Sequence, residues 1–315
     1  MKQLRILFMG TPEFSVPMLE AIHKSKHDLA GVVTAVDKPA GRGRKINESA
    51  VKKYAIRNDI PVFQPVNLKS EDFLSDLKTL KPNLIVVVAF RMLPQQVWSF
   101  PEYGTFNLHA SLLPQYRGAA PINWAIINGE KETGLTTFFI DEKIDTGAII
   151  DQVKLDIEKT DNVEDIYNKM LPKGSELVMS TIKDISEGAV KTTIQEENKT
   201  LKPAPKLNKD NTRIDWNNTA ENIYNLIRGL SPFPLAWTVL IHGGDKIQCK
   251  IAKVAYEITN HNKSAGEILI KDKSLFIAVK DGFVEILQIK LAGKRLLKTK
   301  DLLNGYDIKE CSRLE

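Results

Sequence analysis

Apolar residues in the first half of the chain form short continuous runs that alternate with segments of helical periodicity. The runs of strand length cover residues 4–9, 29–36 and 84–90, and the helical segments cover residues 16–23 and 73–80. Continuous rather than alternating apolar strands are typical of a parallel sheet that is covered on both faces. The pattern therefore predicts an α/β fold class, with a Rossmann-like, mostly parallel sheet domain.

The pattern changes after Gly188. Residues 191–211 are rich in Lys, Thr, Asn and Pro and lack apolar periodicity, which is typical of a linker. A helix at 220–228 and five short strand-like runs follow, which predicts a smaller β domain and leaves barrel and sandwich open. We therefore predict a first domain at 1–188, a linker at 189–205 and a C-terminal domain at 206–315.

Two polar residues stand out on a predicted strand at residues 103–109, where Phe106 and Leu108 favour a pleated, half-buried surface. Alternate side chains on a strand share a face, so Asn107 and His109 are expected side by side. A single His on a strand is more often structural than catalytic, and an Asn near a loop is usually a turn or cap residue. The pair alone therefore leaves both interpretations open.

Further motifs follow this strand. Ser-Leu-Leu-Pro at 111–114 leaves the strand, and Arg117-Gly118 supplies a turn. Asp145-Thr146-Gly147 lies within 134–150, which is predicted to form two strands around this turn. Taken alone, that turn needs no functional explanation. The order of the motifs along one chain carries more information than any one of them.

Composition is typical of an ordinary globular protein and allows two domains. The chain has 315 residues, 43% hydrophobic and 26% charged. No apolar run approaches the ~18 residues of a membrane span, and the first strand begins too early for a leader peptide, so we expect a cytoplasmic protein. Cys249 and Cys311 are the two cysteines, and no Cys/His cluster has metal-site spacing. We therefore expect no metal.

The loop after the first strand argues against one enzyme class. Gly10 to Phe14 stands where a dinucleotide-binding protein has its glycine-rich loop, but the Gly-x-Gly-x-x-Gly pattern is absent and Pro12 occupies the turn. A nicotinamide-dependent dehydrogenase is therefore not expected.

Positive charge is concentrated in two places. Residues 206–315 carry 18 Lys and Arg against 13 Asp and Glu, whereas the rest of the chain is balanced. The loop at 37–45 carries Arg42, Arg44 and Lys45 between glycines. Each feature could be a solvated surface, or it could bind the phosphates of a polyanion.

The Asn-x-His pair, Ser-Leu-Leu-Pro, Arg-Gly and the distant Asp-Thr-Gly occur together and in this order. This combination resembles the formyltransferases that use 10-formyltetrahydrofolate. The resemblance implies that Asn107, His109 and Asp145 are the catalytic residues and that the C-terminal domain is an OB-like barrel. It also implies that the folate-binding segment consists of Ser111, Leu112, Leu113 and Pro114.

The chemistry of formyl transfer suits these residue types. Transfer from a folate nitrogen to an amine passes through a tetrahedral oxyanion, which an amide N–H and an imidazolium can stabilise. A carboxylate beside the imidazole would orient the ring and could pass a proton from the attacking amine to the leaving nitrogen. Neither a covalent nucleophile nor a metal is required.

Three further stretches distinguish between members of that family. Residues 9–14, 38–43 and 287–295 resemble members that formylate methionyl initiator tRNA for translation initiation, which implies tRNA binding. We expect Arg42, Arg44 and Lys45 to bind the tRNA, and we expect a monomer, although the sequence does not determine the oligomeric state. Two departures from the family pattern are Ala110 and a shorter loop at 90–94, and neither falls on the catalytic residues. The alternatives are an amino-sugar nucleotide as acceptor, or an RNA-binding protein that has lost activity.

Overall fold

The computed structural model describes residues 2–40, 45–196, 200–308 and 312–315. The chain forms two compact units. Unit 1 comprises Met1–Gly118, Gly134–Leu155 and Tyr167–Pro203, and unit 2 comprises Ala119–Thr133, Asp156–Ile166 and Ala204–Glu315. Two short segments that precede residue 203 thus belong to unit 2. The boundaries at 188 and 205 stay a prediction.

The elements up to residue 203 alternate between strands and helices. The strands are β1 (Arg5–Gly10), β2 (Asp28–Val33), β3 (Lys38–Ala40), β4 (Lys45–Asn47), β5 (Val62–Phe63), β6 (Leu84–Val88), β7 (Thr105–His109), β8 (Glu132–Phe139) and β9 (Ile149–Asp156). The helices are α1 (Val16–His23), α2 (Ala50–Arg57), α3 (Glu71–Leu80), α4 (Gln95–Trp98), α5 (Pro121–Ile127) and α6 (Val163–Glu187), with a 3-10 turn at Glu13–Ser15.

Seven of these strands form one sheet in the order β5-β2-β1-β6-β7-β8-β9. The five strands from β5 to β7 run parallel to one another, and β8 runs antiparallel to β7. The prediction of a mostly parallel sheet in the first half of the chain is therefore confirmed.

Strand β1, the middle one of the five parallel strands, is buried along almost its whole length, as its continuous apolar sequence predicts. All four residues from Ile6 to Met9 are fully buried. Leu7 and Met9 belong to the same apolar cluster as Phe73 and Leu77 of α3. At about 25 cal/mol per Å² of buried apolar surface, such side chains supply most of the stabilisation of the sheet.

Helix α6 begins and continues differently from the sequence prediction. The spacing of Asp161 and Glu164 in the sequence predicts a capping box, but the box lies one residue later. Asn162 Oδ1 accepts from the Glu164 and Asp165 N–H groups, and Asp165 Oδ2 accepts from the Asn162 N–H. A proline inside a helical pattern predicts a kink or a division, and the helix is not divided at Pro172.

Close packing of α6 on the sheet explains a glycine in its interior. A Cβ atom on Gly174 would lie 2.2 Å from Met18 Cε and 3.2 Å from Leu108 Cδ2. The absence of a side chain at this position lets the helix approach strand β7 from the face opposite to Asn107 and His109.

The segment predicted as a linker makes specific contacts with the rest of the protein. Thr193 forms an antiparallel bridge with Ile149, and Gln195 is buried. Lys202 accepts a backbone hydrogen bond from the Tyr116 N–H at 2.7 Å. Residues of this segment therefore belong to unit 1 through specific contacts.

Unit 2 is built mainly on antiparallel strands and one amphipathic helix. The elements after residue 203 are α7 (Ala220–Gly229), β10 (Ala236–His242), β11 (Asp245–Ile258), β12 (Ile268–Lys271), β13 (Ser274–Val279), β14 (Gly282–Leu291), β15 (Leu297–Lys298), α8 (Thr299–Leu303) and β16 (Arg313–Leu314). The sheet order is β12-β13-β14-β11-β10-β16, and β15 pairs with β14. Ile223 and Ile227 of α7 pack into its apolar core. The prediction of a second, smaller β domain is confirmed at this level.

Two kinds of feature are absent from the part of the chain that the structure describes. None of its helices combines the length and apolar character needed to cross a membrane. Nor do three or more His, Cys, Asp or Glu side chains come together among its residues in a way that could hold a metal ion.

The thiol of Cys249 gives the first testable prediction. Cys249 lies on β11 and is fully buried, and burial raises the pKa of its thiol to about 11. Because the thiolate is the reactive form, only about one molecule in a thousand is ionised at pH 8. We expect a Cys311→Ser variant to resist a thiol reagent at pH 8 until it is unfolded by denaturant. In a Cys249→Ala variant, the labelling rate is that of the Cys311 thiol alone. Rapid labelling of the native Cys311→Ser variant would contradict the prediction.

Candidate functional site

Strand β7 places Asn107 and His109 at the edge of the parallel part of the sheet. Asn107 lies opposite Val87 of β6 and Phe138 of β8, and His109 lies opposite Thr136. Two residues apart on a strand, the two side chains point to the same face. The structure thus places this predicted pair side by side.

The Asn107 side chain is available to a ligand. It is partly exposed, and within the described residues no hydrogen bond to its amide group is formed. An amide on the open face of a strand can donate to an oxygen atom that approaches from solvent.

His109 is oriented by hydrogen bonding. The ring is 6% exposed, and its Nε2 lies 2.9 Å from the carbonyl oxygen of Tyr116. A carbonyl can only accept, so Nε2 must carry the proton in this contact. Nδ1 faces Asp145 Oδ2 at 3.8 Å. A proton on Nδ1 would therefore point at the carboxylate, and the ring would then be an imidazolium.

Asp145 reaches His109 from the turn between β8 and β9. Its φ of 56° is left-handed, a conformation that Asp tolerates better than most residues. Its Oδ2 accepts a hydrogen bond from the Gly118 N–H at 3.0 Å. Within the described residues its Oδ1 has no hydrogen-bond partner, so one carboxylate oxygen remains available for proton transfer.

The glycine of the Asp-Thr-Gly motif is required by a close backbone approach. A Cβ atom on Gly147 would lie 1.6 Å from the carbonyl oxygen of Phe139. Thr146 closes the same turn by donating from Oγ1 to Asp141 Oδ1 at 2.7 Å. The residue types of the motif are thus explained by the geometry that presents Asp145.

The segment at 111–114 is held by two side chains that the sequence analysis did not identify. Thr136 Oγ1 accepts from the Leu113 N–H at 3.1 Å and donates to the Ser111 carbonyl at 2.6 Å. Gln152 Nε2 donates to the Leu113 carbonyl at 2.9 Å and to Thr136 Oγ1 at 2.8 Å. Ser111 and Leu113 are buried, whereas Leu112 and Pro114 are partly exposed.

The sequence analysis also did not identify the hydrogen-bonded pair of Arg117 and Gln195. Gln195 is buried and bonds through its amide to Arg117 on one side and to the Asp145 turn on the other. The sequence signal was the run from Thr192 to Ile194, whose β-branched residues favour a strand over a linker.

A cavity of about 430 Å³ lies in unit 1. It is formed by segments that follow β5, β6 and β8 of the parallel-sheet unit. Arg91 joins two of its walls by donating to the carbonyl oxygens of Pro65 and Val66. Its lining residues are Val66, Asn67, Leu68, Lys69, Arg91, Met92, Leu93, Pro94, Gln95, Trp98 and Glu142.

Residues 41–44 of the predicted basic loop, and with them Arg42 and Arg44, lie outside the described residues. The backbone of Lys45 begins β4, where it pairs with Ala40 of β3.

Unit 2 carries a basic groove of about 300 Å³ on its sheet. We define this lysine groove by Lys253, Lys273, Lys298 and Lys300, with Glu285 as its one acidic lining residue. Lys273 Nζ donates to Asn304 Oδ1 at 2.8 Å. Four ammonium groups around one acidic residue give the groove a positive potential.

Comparisons with known proteins match both halves of the chain to one family. The family model described as "Formyl transferase" matches residues 3–182, and the one described as "Formyl transferase, C-terminal domain" matches residues 206–307. Together they account for most of the chain.

Individual relatives are similar over nearly the full length. A methionyl-tRNA formyltransferase of Flavobacterium johnsoniae is 52% identical over 97% of this chain and 97% of its own. One from Bacteroides fragilis is 48% identical over 100% of this chain and 98% of its own. Among solved structures, an N-formyltransferase from Helicobacter canadensis, in complex with folinic acid and dTDP-3-aminofucose, matches with a TM-score of 0.66 at 24% identity over 90% of this chain and 98% of its own. At that identity the likeness concerns the fold alone.

Removal of the Thr136 hydroxyl should loosen the segment at 111–114. Thr136→Val leaves the Leu113 N–H and the Ser111 carbonyl without this partner, which typically costs about 1–3 kcal/mol at a buried position. We expect faster amide exchange at Leu113, measured by hydrogen-exchange mass spectrometry, together with a lower free energy of unfolding.

Thr137→Val is the matched control. Thr137 is also buried and shares a hydrogen bond of 2.8 Å with Thr181, but it points to the other face of β8. It should destabilise the fold without faster exchange at Leu113. Equal exchange at Leu113 in both variants would overturn the assignment of Thr136 as the anchor of this segment.

Proposed function

Since the chain belongs to the methionyl-tRNA formyltransferase family, we propose that Asn107, His109 and Asp145 carry its reaction. The protein is a formyltransferase, and its acceptor is methionyl-tRNA. The finer proposal is that the formyl group of 10-formyltetrahydrofolate passes to the free α-amino group of methionyl initiator tRNA, for translation initiation. The observation that carries it is the contact of the Asp145 carboxylate with His109, beside an Asn107 amide without a partner among the described residues.

Each of the three groups has a separate task. The α-amino nitrogen attacks the formyl carbon, and the bond from that carbon to the folate nitrogen breaks after a tetrahedral oxyanion has formed. Asn107 donates its amide N–H to the oxyanion. His109 Nε2 bonds to the Tyr116 carbonyl and Nδ1 faces the Asp145 carboxylate, so when protonated the ring would act through its positive charge rather than through a direct contact with the oxyanion.

Asp145 moves the proton. The attacking amine becomes positively charged as the bond forms, and the leaving folate nitrogen needs a proton. Asp145 Oδ1 takes the proton from the amine and returns it to the folate nitrogen, directly or through one water. Oδ2 meanwhile stays on Gly118, so the carboxylate keeps its orientation during the transfer.

The donor site is proposed at Ser111, Leu112, Leu113 and Pro114, together with the cavity after β6. Leu112 and Pro114 are the partly exposed members of that segment and would contact the folate. Ser111 and Leu113 hold the segment in place through Thr136 and Gln152. A cavity of about 430 Å³ lies within the usual size of small-molecule sites.

Binding of tRNA is proposed at Arg42, Arg44 and Lys45 and at the lysine groove of unit 2. Its four lysines lie in the part of the chain that carries the whole excess of positive charge. Lysine ammonium groups neutralise backbone phosphates and release counterions, which provides affinity without reading bases.

An OB-like barrel is proposed for the fold of unit 2. Glu267, directly before β12, forms a bridge with Arg313 of β16, the strand at the other end of the sheet. The Leu314 N–H also donates to the Gly266 carbonyl at 2.9 Å. These contacts bring the two ends of the sheet together, as a barrel requires. A monomer in the cytoplasm, where initiator tRNA is used, completes the proposal.

An amino-sugar nucleotide is the alternative acceptor. The Helicobacter canadensis neighbour was solved with such a compound, but at 24% identity it supports the fold only. Relatives at 48% and 52% identity over nearly the full chain favour methionyl-tRNA. An assay that offers formyl-folate with charged initiator tRNA, with an amino-sugar nucleotide or with no acceptor separates tRNA formylation, sugar formylation and loss of activity.

Substitution of the three proposed catalytic residues should remove most transfer activity. We expect Asn107→Ala to lower kcat by about 100- to 1000-fold, the usual effect of losing one oxyanion donor. His109→Ala and Asp145→Ala should be at least as damaging, because the first removes the charge and the second the proton acceptor. Steady-state kinetics with charged tRNA measures this, and circular dichroism confirms folding. Near-normal turnover in the His109→Ala variant would contradict the proposed mechanism.

The lysine groove should contribute to tRNA affinity through phosphate contacts. We expect Lys298→Ala and Lys300→Ala each to weaken tRNA binding and to reduce the slope of log affinity against log salt by about one unit per lost contact. Lys183→Ala, on an exposed position of α6, is the matched loss of charge in unit 1 and should leave the slope unchanged. An unchanged slope in both groove variants would remove the groove from the tRNA interface.

The Arg42 loop should act on transfer more than on donor binding. A loop that positions the acceptor end would make Arg42→Ala depress formylation of charged tRNA while folate affinity stays close to that of the parent. If Arg42→Ala and Arg44→Ala both formylate at the parent rate, the loop is ordinary surface.

A further inference from the structure

The side-chain amide of Gln195 connects the Arg-Gly turn to the Asp145 turn. Its Oε1 accepts from Arg117 Nε at 3.0 Å and from Arg117 Nη2 at 2.7 Å. Its Nε2 donates to the carbonyl oxygens of Asp145 at 3.0 Å and Gly147 at 2.8 Å. All four hydrogen bonds of this amide thus serve one purpose, which is to join two loops far apart in sequence.

Arg117 determines which way the amide faces. A guanidinium can only donate, so it requires the oxygen of Gln195 on its side. Rotation of the amide by 180° would place N–H groups against the guanidinium and an oxygen against two carbonyl oxygens. The arginine therefore fixes the N–H groups toward the Asp145 turn, and it does so as a charge-assisted pair.

The two accepting carbonyl groups, those of Asp145 and Gly147, belong to the turn that carries the Asp145 carboxylate. Asp145 has a left-handed φ, and Gly147 is pressed against Phe139, so the peptide groups of this turn tolerate little displacement. Gln195 holds the backbone at both ends of the turn, while the Gly118 N–H holds the carboxylate itself. Gln195 is buried, and its neighbour Thr193 is fixed by a bridge to Ile149, so the clamp is itself anchored.

We propose that Gln195 is a positioning residue for Asp145, with Arg117 setting the orientation of the Gln195 amide. The inference rests on the proposed role of Asp145 in proton transfer. Gln195 touches no reacting atom. It keeps the Asp145 carboxylate at its distance from His109, and a displacement of about 1 Å at such a group can lower the rate by on the order of 100-fold.

An isosteric substitution separates the donor role of Gln195 from simple space filling. Gln195→Glu keeps the volume and the contact with Arg117 but replaces two N–H donors by an oxygen facing two carbonyl groups. We expect kcat to fall by roughly 10- to 100-fold in both Gln195→Ala and Gln195→Glu, with the KM values for formyl-folate and charged tRNA within a few-fold of the parent. Thr192→Ala, an exposed neutral change on the same segment, is the control and should behave as the parent.

A double substitution tests whether Gln195 acts through Asp145. In an Asp145→Ala background, Gln195→Ala should add no further loss of kcat, because the group that it positions is gone. Arg117→Ala should resemble Gln195→Ala, and the Arg117→Ala, Gln195→Ala pair should be no worse than either single variant. Thermal unfolding of each variant accompanies the kinetics, so that a loss of folded protein is recognised.

Three results would overturn the inference. They are parent-like kcat in Gln195→Glu, a further loss from Gln195→Ala in the Asp145→Ala background, and an effect confined to KM. Failure of the proposed function is recognised separately, because there Asp145→Ala and His109→Ala would themselves retain activity.

Discussion

The close approach of Gly147 to the carbonyl of Phe139 is the constraint on which the site depends. The two backbone segments are in direct contact there, since a Cβ atom on Gly147 would lie 1.6 Å from the Phe139 carbonyl oxygen. This contact lies at the end of the turn after β8, in which Asp145 has a left-handed conformation and its carboxylate faces His109. Strand β7 supplies the other partners, Asn107 and His109. The site therefore depends on the position of this turn relative to the strand.

The loops around this site are held by polar side chains whose hydrogen bonds are made within the protein. Thr136 and Gln152 hold the segment after β7, and the Arg117–Gln195 pair holds the Asp145 turn. Each is hydrogen-bonded on both sides, so the groups proposed to act on the substrate are oriented before it binds. Such preorganisation is what makes a fixed dipole or charge effective, since no reorientation is needed during the reaction. The site is thus organised by contacts between loops, on a scaffold set by the sheet.

Local sequence patterns predicted most elements of the fold because they report on burial and periodicity. The helix at Val16–His23 and the strands around Leu84–Val88 and Thr105–His109 are found within a few residues of their predicted positions. The supporting residues of the site could not be found in this way. Gln195 lies 50 residues from the turn that it holds, and nothing in its neighbourhood indicates a partner at that distance. The predicted position of the capping box was wrong by one residue for a simpler reason. Asp161 and Asn162 are adjacent, and both residue types are favoured at the N-cap position.

The fit of helix α6 over strand β7 has a consequence for how this sequence can vary. Gly174 leaves no space for a side chain, but the nearest atom is the terminal methyl group of Met18, the movable end of a flexible side chain, rather than backbone. Position 174 can therefore accept an alanine when the end of the Met18 side chain moves aside or when the residue at position 18 is smaller. Homologous sequences should show the two positions changing together, and a shortened side chain at position 18 should act as a genetic suppressor of an enlarged one at position 174. The coupling would pass through Leu108, on the reverse side of the strand that carries Asn107 and His109.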